Sequence, residues 1–438
     1  MIHTMASRRR KALYTGAAFA VSASLLLTGC GRGGDGPAES GESTTIDDKP
    51  ATGTLEIWTE GADGAKLPEM FEKFKEDNPD IDIKMTEIPG EEFRSKMTAA
   101  ITAGTVPDLI YSFTESQAPL IATGGFDAVP DGLVEEDDFF PAMWENSLYD
   151  GVQYGVPWYT YANVSYYRSD LVEAAGAELP TDWDSLRAFG EKLKASGVEY
   201  PLGLYVAYDD YTAWQLGVFA AQNGGSFISE DGTEWTLNTP ENVEALEFYS
   251  SLFKDGLASP DGPAFLDIVP WTSQGKNASI IDGGPWFASW FDDANGAGWG
   301  AEHLEFIQNP TGPTGIAAST TGGGSWFVPS DSENKDAAWK FARFMSEPES
   351  QIEWYKIFKN MPAVKAAWDD PALSSDPLLL AVRESLENGV NRPKVATWNQ
   401  VGLVIGEQMD KVIRGNTSPQ DALDEAQKQA EAIGMGTK

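Results

Sequence analysis

Apolar side chains along this chain recur at two periods, and the switches between them outline an architecture. "TLEIW" (54–58) alternates Leu55 and Ile57 with polar neighbours, the period of a half-buried strand. Leu67, Met70, Phe71 and Phe74 then recur at helical spacing, and Asn78-Pro79 predicts the stop. "IDIKM" (81–85) alternates again. "EEFRSKMTAAITAG" predicts a second helix with Phe93, Met97, Ala100 and Ile101 inward and Gly104 at its end. "VPDLIYS" supplies a third strand. This strand-helix-strand-helix-strand order implies a parallel sheet with right-handed crossovers.

Ligands of such open sheets sit beyond the carboxyl ends of the strands. Those ends deliver Glu60 after the first strand and Phe113, Thr114 and Glu115 after the third. Each carboxylate either faces a ligand or caps the helix that follows. Further on, Thr181 suits a helix N-cap with Asp184 at the third helical position, and Leu186, Phe189 and Leu193 form the inward face. The aromatic segment before it, opened by Pro157, reads as an extended strand crossing between domains. In "SPQDALDEAQKQAEAIG", Ser418 is the cap and Pro419 opens the first turn. Leu423, Ala426, Ala430 and Ile433 face inward and Gly434 stops the helix.

The amino terminus follows a different pattern. Arg8, Arg9, Arg10 and Lys11 precede an apolar run from Ala12 to Thr28, the layout of an export sequence. The run is shorter than the roughly 20 residues of a membrane helix. It ends in Leu27-Thr28-Gly29-Cys30, which resembles a bacterial lipobox, so the first 29 residues are expected to be removed and Cys30 lipidated. The three arginines would also suit the twin-arginine route, although no phenylalanine-leucine pair follows them. Residues 31–53 are rich in Gly, Ser, Pro and acid, with Ile46 their only large apolar side chain. They read as a flexible tether, with the fold beginning near Thr54.

Composition narrows the function. The chain has 438 residues, more than one hydrophobic core spans, so two domains are expected. Its formal net charge of −36 argues against a nucleic-acid partner, which needs a basic surface. Cys30 is the only cysteine, and His3 and His303 are the only histidines, which excludes a disulfide and the usual Cys/His zinc site. No G-x-S-x-G elbow presents a serine to His303, which reads as a surface or half-buried residue. Aromatic residues make up 11% of the chain, and several tryptophans sit beside glycine, proline or acid. Rings next to carboxylates suit carbohydrate, because a ring covers the C–H face of a pyranose while acids and amides take its hydroxyls.

Seven stretches in order, from the lipobox through "NPDIDIKM", "GTVPDLIYS", "YGVPWYTYANVSYYRSDL", "PTDWDSLRAFGEKL" and "GKNASIIDGGPW" to "SWFVPSDSENKDAAWKFARFMSEPESQ", resemble the extracellular solute-binding lipoproteins of carbohydrate ABC importers, maltose- and trehalose-binding proteins among them. The likeness runs from about residue 54 to 434. It implies an α/β, two-lobed periplasmic-binding-protein-like fold of type II with a ligand cleft between the lobes. Lobe 1 is expected from 54–160 and about 283–330, and lobe 2 from about 161–282 and 331–438. It also implies a monomer, lipid-anchored on the extracellular face, that delivers a di- or oligosaccharide, a glucoside, to permease subunits without cofactor or metal.

The resemblance also proposes binding residues. An aromatic follows "YG-x-P" in the family, here Trp158 or Tyr159, and the acid common two positions further on is replaced by Tyr161. Tyr159 and Tyr161 either meet the ligand or belong to the core. Trp286 in "DGGPW" is expected as a stacking ring, with a domain-interface tryptophan as the other reading. Gly322 and Gly323 would let backbone N–H groups approach hydroxyls, and Gly324 stands where the family often has a tryptophan. Arg392 could grip neighbouring hydroxyls or hold a binding carboxylate. Trp398, Trp271 and Asp209-Asp210-Tyr211 complete the candidates. Two rival readings stand beside this one: a lipid-anchored glycoside hydrolase drawing two carboxylates from acid-rich loops with aromatics, and a binding protein for a polyol or sugar acid.

Overall fold

The computed structural model of the chain describes residues 46–206 and 210–436. Cys30 and the apolar run before it lie outside them. The strands are β1 (Gly53–Glu60), β2 (Ile81–Ile88), β3 (Leu109–Phe113), β4 (Leu148–Tyr149), β5 (Val152–Gln153), β6 (Gly155–Ala162) and β7 (Val164–Arg168). They continue with β8 (Ser279–Gly283), β9 (Leu304–Ile307), β10 (Ser319–Phe327), β11 (Met361–Pro362) and β12 (Gly389–Val390). A large sheet has the order β11-β6-β10-β3-β1-β2, with β12 beside the start of β10, and a smaller one has the order β8-β7-β9. β4 and β5 form a separate hairpin.

β2, β1 and β3 are parallel, as the alternation of helix and strand requires. β10 then enters antiparallel between β3 and β6, so the sheet is mixed. The helix Leu67–Asp77 buries Leu67, Met70, Phe71 and Phe74 and ends at Asn78. The Asn78 side chain donates to the Phe74 carbonyl at 2.8 Å and accepts from the Ala51 N–H at 2.6 Å. The helix Gly90–Ala103 stops at Gly104, whose φ of 63° is the left-handed geometry a glycine cap supplies. In the helix Trp183–Ala195 the cap is Asp182 and not Thr181. Its carboxylate accepts from the Ser185 N–H while the Ser185 hydroxyl accepts from the Asp182 N–H, a reciprocal box that Thr181 stands too far out to close.

Two expected boundaries move. The fold begins at least as early as Ile46, which packs on the core of the large sheet, and Ala51 is fully buried. Asp47 holds the Lys340 ammonium at 2.8 Å and Asp48 meets Arg343 at 3.4 Å, so acids that read as tether anchor the chain instead. The lobe division shifts as well. The helices Lys335–Ser346 and Pro348–Phe358, expected in lobe 2, bury Trp339, Phe341 and Trp354 against Leu55, Ile57 and Trp158 of the large sheet. Conversely, Phe287, Phe291 and Leu304, expected in lobe 1, pack with Tyr166 and Ile280 of the small sheet. An amphipathic helix follows the sheet whose apolar face it covers, whatever its place in the sequence.

The site is set where the chain passes between the sheets. Asn163 alone separates β6 from β7. Residues 308–318 return the chain from β9 to β10, and residues 391–397 lead from β12 to the helix Trp398–Ile413 of the second core.

Candidate functional site

One buried carboxylate ties these passages together. Asp282, next to last in β8, has a φ of 59°, uncommon for a residue that is not glycine. It accepts from the Thr320 N–H at 3.0 Å, the Thr320 hydroxyl at 2.6 Å, the Asn309 amide at 2.9 Å and the Asn163 amide at 3.3 Å. Its carbonyl accepts from Asn163 and from the Tyr205 hydroxyl. Burial pushes its pKa up against these donors. Beside this knot, Thr321 donates to the Asn391 side chain at 3.0 Å, which brings in the third passage.

Above it opens a cavity of about 490 Å³ between the two sheets' layers. Phe113, Tyr159, Thr160, Tyr161 and Trp286 line it, together with Tyr355, Phe358, Lys359, Asn360 and Asp376. Tyr161 stands edge-on to Trp286 at 5.2 Å and 82°. The Tyr159 hydroxyl accepts from Tyr111 at 3.0 Å. A narrow crevice next to it joins Tyr161 and Trp286 to Tyr211, Asp282 and Arg392. The Arg392 guanidinium lies 4.4 Å from the Tyr211 ring centroid and 3.6 Å from the half-exposed carboxylate of Glu115. A side chamber of about 80 Å³ beyond them is lined by Glu115, Thr321, Arg392, Lys394 and Trp398.

The other expected residues are placed differently. Glu60 is 3% exposed. Its carboxylate accepts from the Ser112 hydroxyl at 2.8 Å, the Phe113 N–H at 2.9 Å and the Ser116 hydroxyl at 2.6 Å. With its oxygens so engaged, Glu60 holds the turn that presents Phe113 and Glu115, and burial raises its pKa. Trp158 is fully buried, its ring 4.7 Å from Tyr111 and Trp326 and 5.0 Å from Trp354. It packs among these rings in the core of the large sheet and is not among the residues that line the cavity. Trp398 is 5% exposed and packs edge-on to Trp214 in the second core. Trp271 lies outside the cavity walls, on the short helix Ile268–Ser273 with the Lys276 ammonium 4.8 Å over its ring.

Gly322 and Gly323 are buried, and a Cβ would meet the Tyr161 hydroxyl at 2.3 Å in the first and the Tyr159 carbonyl at 2.1 Å in the second. Their close approach is to β6 and its rings, not to a ligand. Asp209 lies outside the described residues, while Tyr211 stands on the helix Asp210–Gln222, stacked on Phe265 at 4.7 Å. His303 stacks on Trp299 at 4.6 Å and bonds its carbonyl, a half-buried structural role. Among the described residues no His, Cys, Asp and Glu gather into a metal site, and no helix is long and apolar enough to cross a membrane. Tyr355, Phe358, Lys359, Asn360 and Asp376 were not anticipated; their only trace in the sequence is the aromatic pair flanking Lys356 and Lys359 in "WYKIFKN".

Two α/β lobes with an aromatic cleft at their crossing define a protein that encloses a small solute. The chain belongs to the bacterial extracellular solute-binding proteins, whose family model matches residues 58–352. The sugar-binding protein MalE of Xanthomonas citri superposes with a TM-score of 0.78 at 24% identity, covering 87% of this chain and 97% of that one. The cyclic alpha-maltosyl-1,6-maltose binding protein of Arthrobacter globiformis gives 0.76 at 25% identity, covering 89% and 100%. In sequence, the sn-glycerol-3-phosphate-binding periplasmic protein of Escherichia coli O1:K1 is 25% identical over 420 residues, covering 86% of this chain and 91% of its own length. These relatives are binding proteins by name, and none is named as an enzyme.

Proposed function

We propose that this chain is the substrate-binding component of an ABC importer, capturing a di- or oligosaccharide, a glucoside, and delivering it to permease subunits. The observation that carries the reading is the right-angled pair of Trp286 and Tyr161 lining the 490 Å³ cavity. One ring offers a flat face to a pyranose while Thr160 and Ser289 line the same cavity to meet its hydroxyls. Ligand selects the closed state by binding it more tightly than the open one. Cys30 carries the lipid that holds the mature chain, a monomer, on the extracellular face of the membrane. Glu115, Tyr159 and Arg392 complete the contacts, and Glu60 acts through Phe113.

Thermal unfolding of the mature chain without Cys30, against mono-, di- and trisaccharides of both anomeric linkages, tests this. A ligand at 100 times its dissociation constant stabilises the fold by about 2.7 kcal/mol. One linkage class should shift the midpoint, and Trp286→Ala should remove the shift. A flat response across the panel would overturn the carbohydrate assignment.

A further inference from the structure

The cavity is lined by different parts of the chain. One part of the lining comes from β6, Phe113 and the turn carrying Trp286, and another from the helix Pro348–Phe358, the turn after it and Asp376. They are joined because β11 pairs with β6, Met361 opposite Thr160 and Pro362 opposite Tyr159. This pairing holds the second part of the lining against the strand that forms the first.

The turn is unusual. Lys359 closes the helix with a φ of 70°, a left-handed position where helices place glycine or asparagine. A lysine there stores strain that a glycine would relieve, and such outliers concentrate where a side chain has work to do. Its ammonium lies 4.8 Å from the Tyr355 ring centroid. Asp376 stands near enough to raise the Tyr355 pKa, second to burial. One oxygen of Asp376 caps the next helix by accepting from the Leu378 N–H at 2.9 Å. A half-buried ring, a cation, a carboxylate and the Asn360 amide thus line the same cavity.

Resting on the carbohydrate reading above, we infer that Tyr355, Lys359, Asn360 and Asp376 form a second sugar-ring subsite, so that the ligand is a linear oligosaccharide reaching from Trp286 to Tyr355. The face of Tyr355 not covered by protein takes the C–H side of the outer ring. Lys359 and Asn360 donate to its hydroxyls and Asp376 accepts from them. A monosaccharide or a disaccharide held at Trp286 leaves this subsite empty.

Calorimetric titration of the mature protein with gluco-oligosaccharides of one to four units, in both linkages, decides the matter. Wild type should gain roughly tenfold in affinity on lengthening from two units to three, and Tyr355→Ala should abolish that gain while leaving the two-unit ligand within about twofold. Lys359→Gly should melt at a higher temperature than wild type yet bind the longer ligands less well, a combination that loss of structure alone does not produce. Equal losses for short and long ligands in Tyr355→Ala, or no gain with length in wild type, overturn the second subsite while the importer reading stands. If no saccharide of any length binds, both fall together.

Discussion

The floor of the cleft and its walls are built on opposite principles. At the floor, the Asp282 carboxylate is sealed from water and accepts from Thr320, Asn309 and Asn163, so nothing remains to offer a ligand. On the wall, Glu115 is half exposed and its nearest cation, Arg392, stands 3.6 Å away with a ring beneath it. A saturated buried network fixes one arrangement of the crossing segments, whereas a half-exposed carboxylate such as Glu115 can exchange water for sugar hydroxyls. The comparison separates residues that make the cleft from residues that use it, and the two sets should respond differently to mutation.

The largest effects belong to the interior. Trp158→Ala removes a fully buried ring from between Tyr111, Trp326 and Trp354 and should cost about 3–5 kcal/mol in denaturant unfolding. Loss of ligand binding at unchanged stability would instead return Trp158 to the binding site. Asp282→Ala strands the donors of Thr320, Asn309 and Asn163, and each buried donor left without a partner costs about 1–3 kcal/mol. It should therefore destabilise by upward of about 3 kcal/mol. Asp282→Asn tolerates the left-handed backbone but turns an amide N–H toward a donor, so an intermediate loss is expected. Trp286→Ala should invert the pattern, with about 1 kcal/mol lost in stability and the ligand-induced melting shift gone. A Trp286 variant as unstable as Trp158→Ala would mean the ring serves the lobe interface and erase the distinction between floor and wall.

The same division explains what the sequence could disclose. The run from β1 to β3 was legible because β1 and the two helices there each bury one face, so period and element agree. The closing helix Pro419–Ile433 was legible too, through Ser418, whose hydroxyl accepts from the Asp421 N–H. β6 was harder, since it is buried along nearly its whole length and carries no polar alternation to say which side Trp158 and Tyr159 take. Glycines 322 and 323 declared a close approach but not its partner, which proved to be the neighbouring strand. Tyr355 and Lys359 look in sequence like the solvated face of an amphipathic helix. Only the pairing of β11 with β6, a contact between residues about 200 positions apart, turns that face into a cavity wall.

Glu60 lies between the two classes, and its response to pH gives the smallest and most specific test. It is buried like the floor, yet its three donors belong to the turn that carries Phe113 and Glu115 into the wall. Burial raises its pKa above the ordinary glutamate value near 4.3, with the charge of Glu115 adding to the shift. A carboxyl whose pKa is higher folded than unfolded binds its proton more tightly in the native state. The stability it contributes is therefore fully present below the unfolded pKa and is lost as pH rises through the folded value. Glu60→Gln removes that titration while keeping the size of the side chain. The melting temperature of wild type relative to Glu60→Gln should thus rise as pH falls from 7 to about 4, by a small amount set by one group. Parallel melting curves, or a wild type that loses ground on acidification, would mean that the three donors outweigh burial and hold Glu60 as a stable anion. Glu60 would then join Asp47, whose carboxyl is held low by Lys340, among the charges that favour neutral pH.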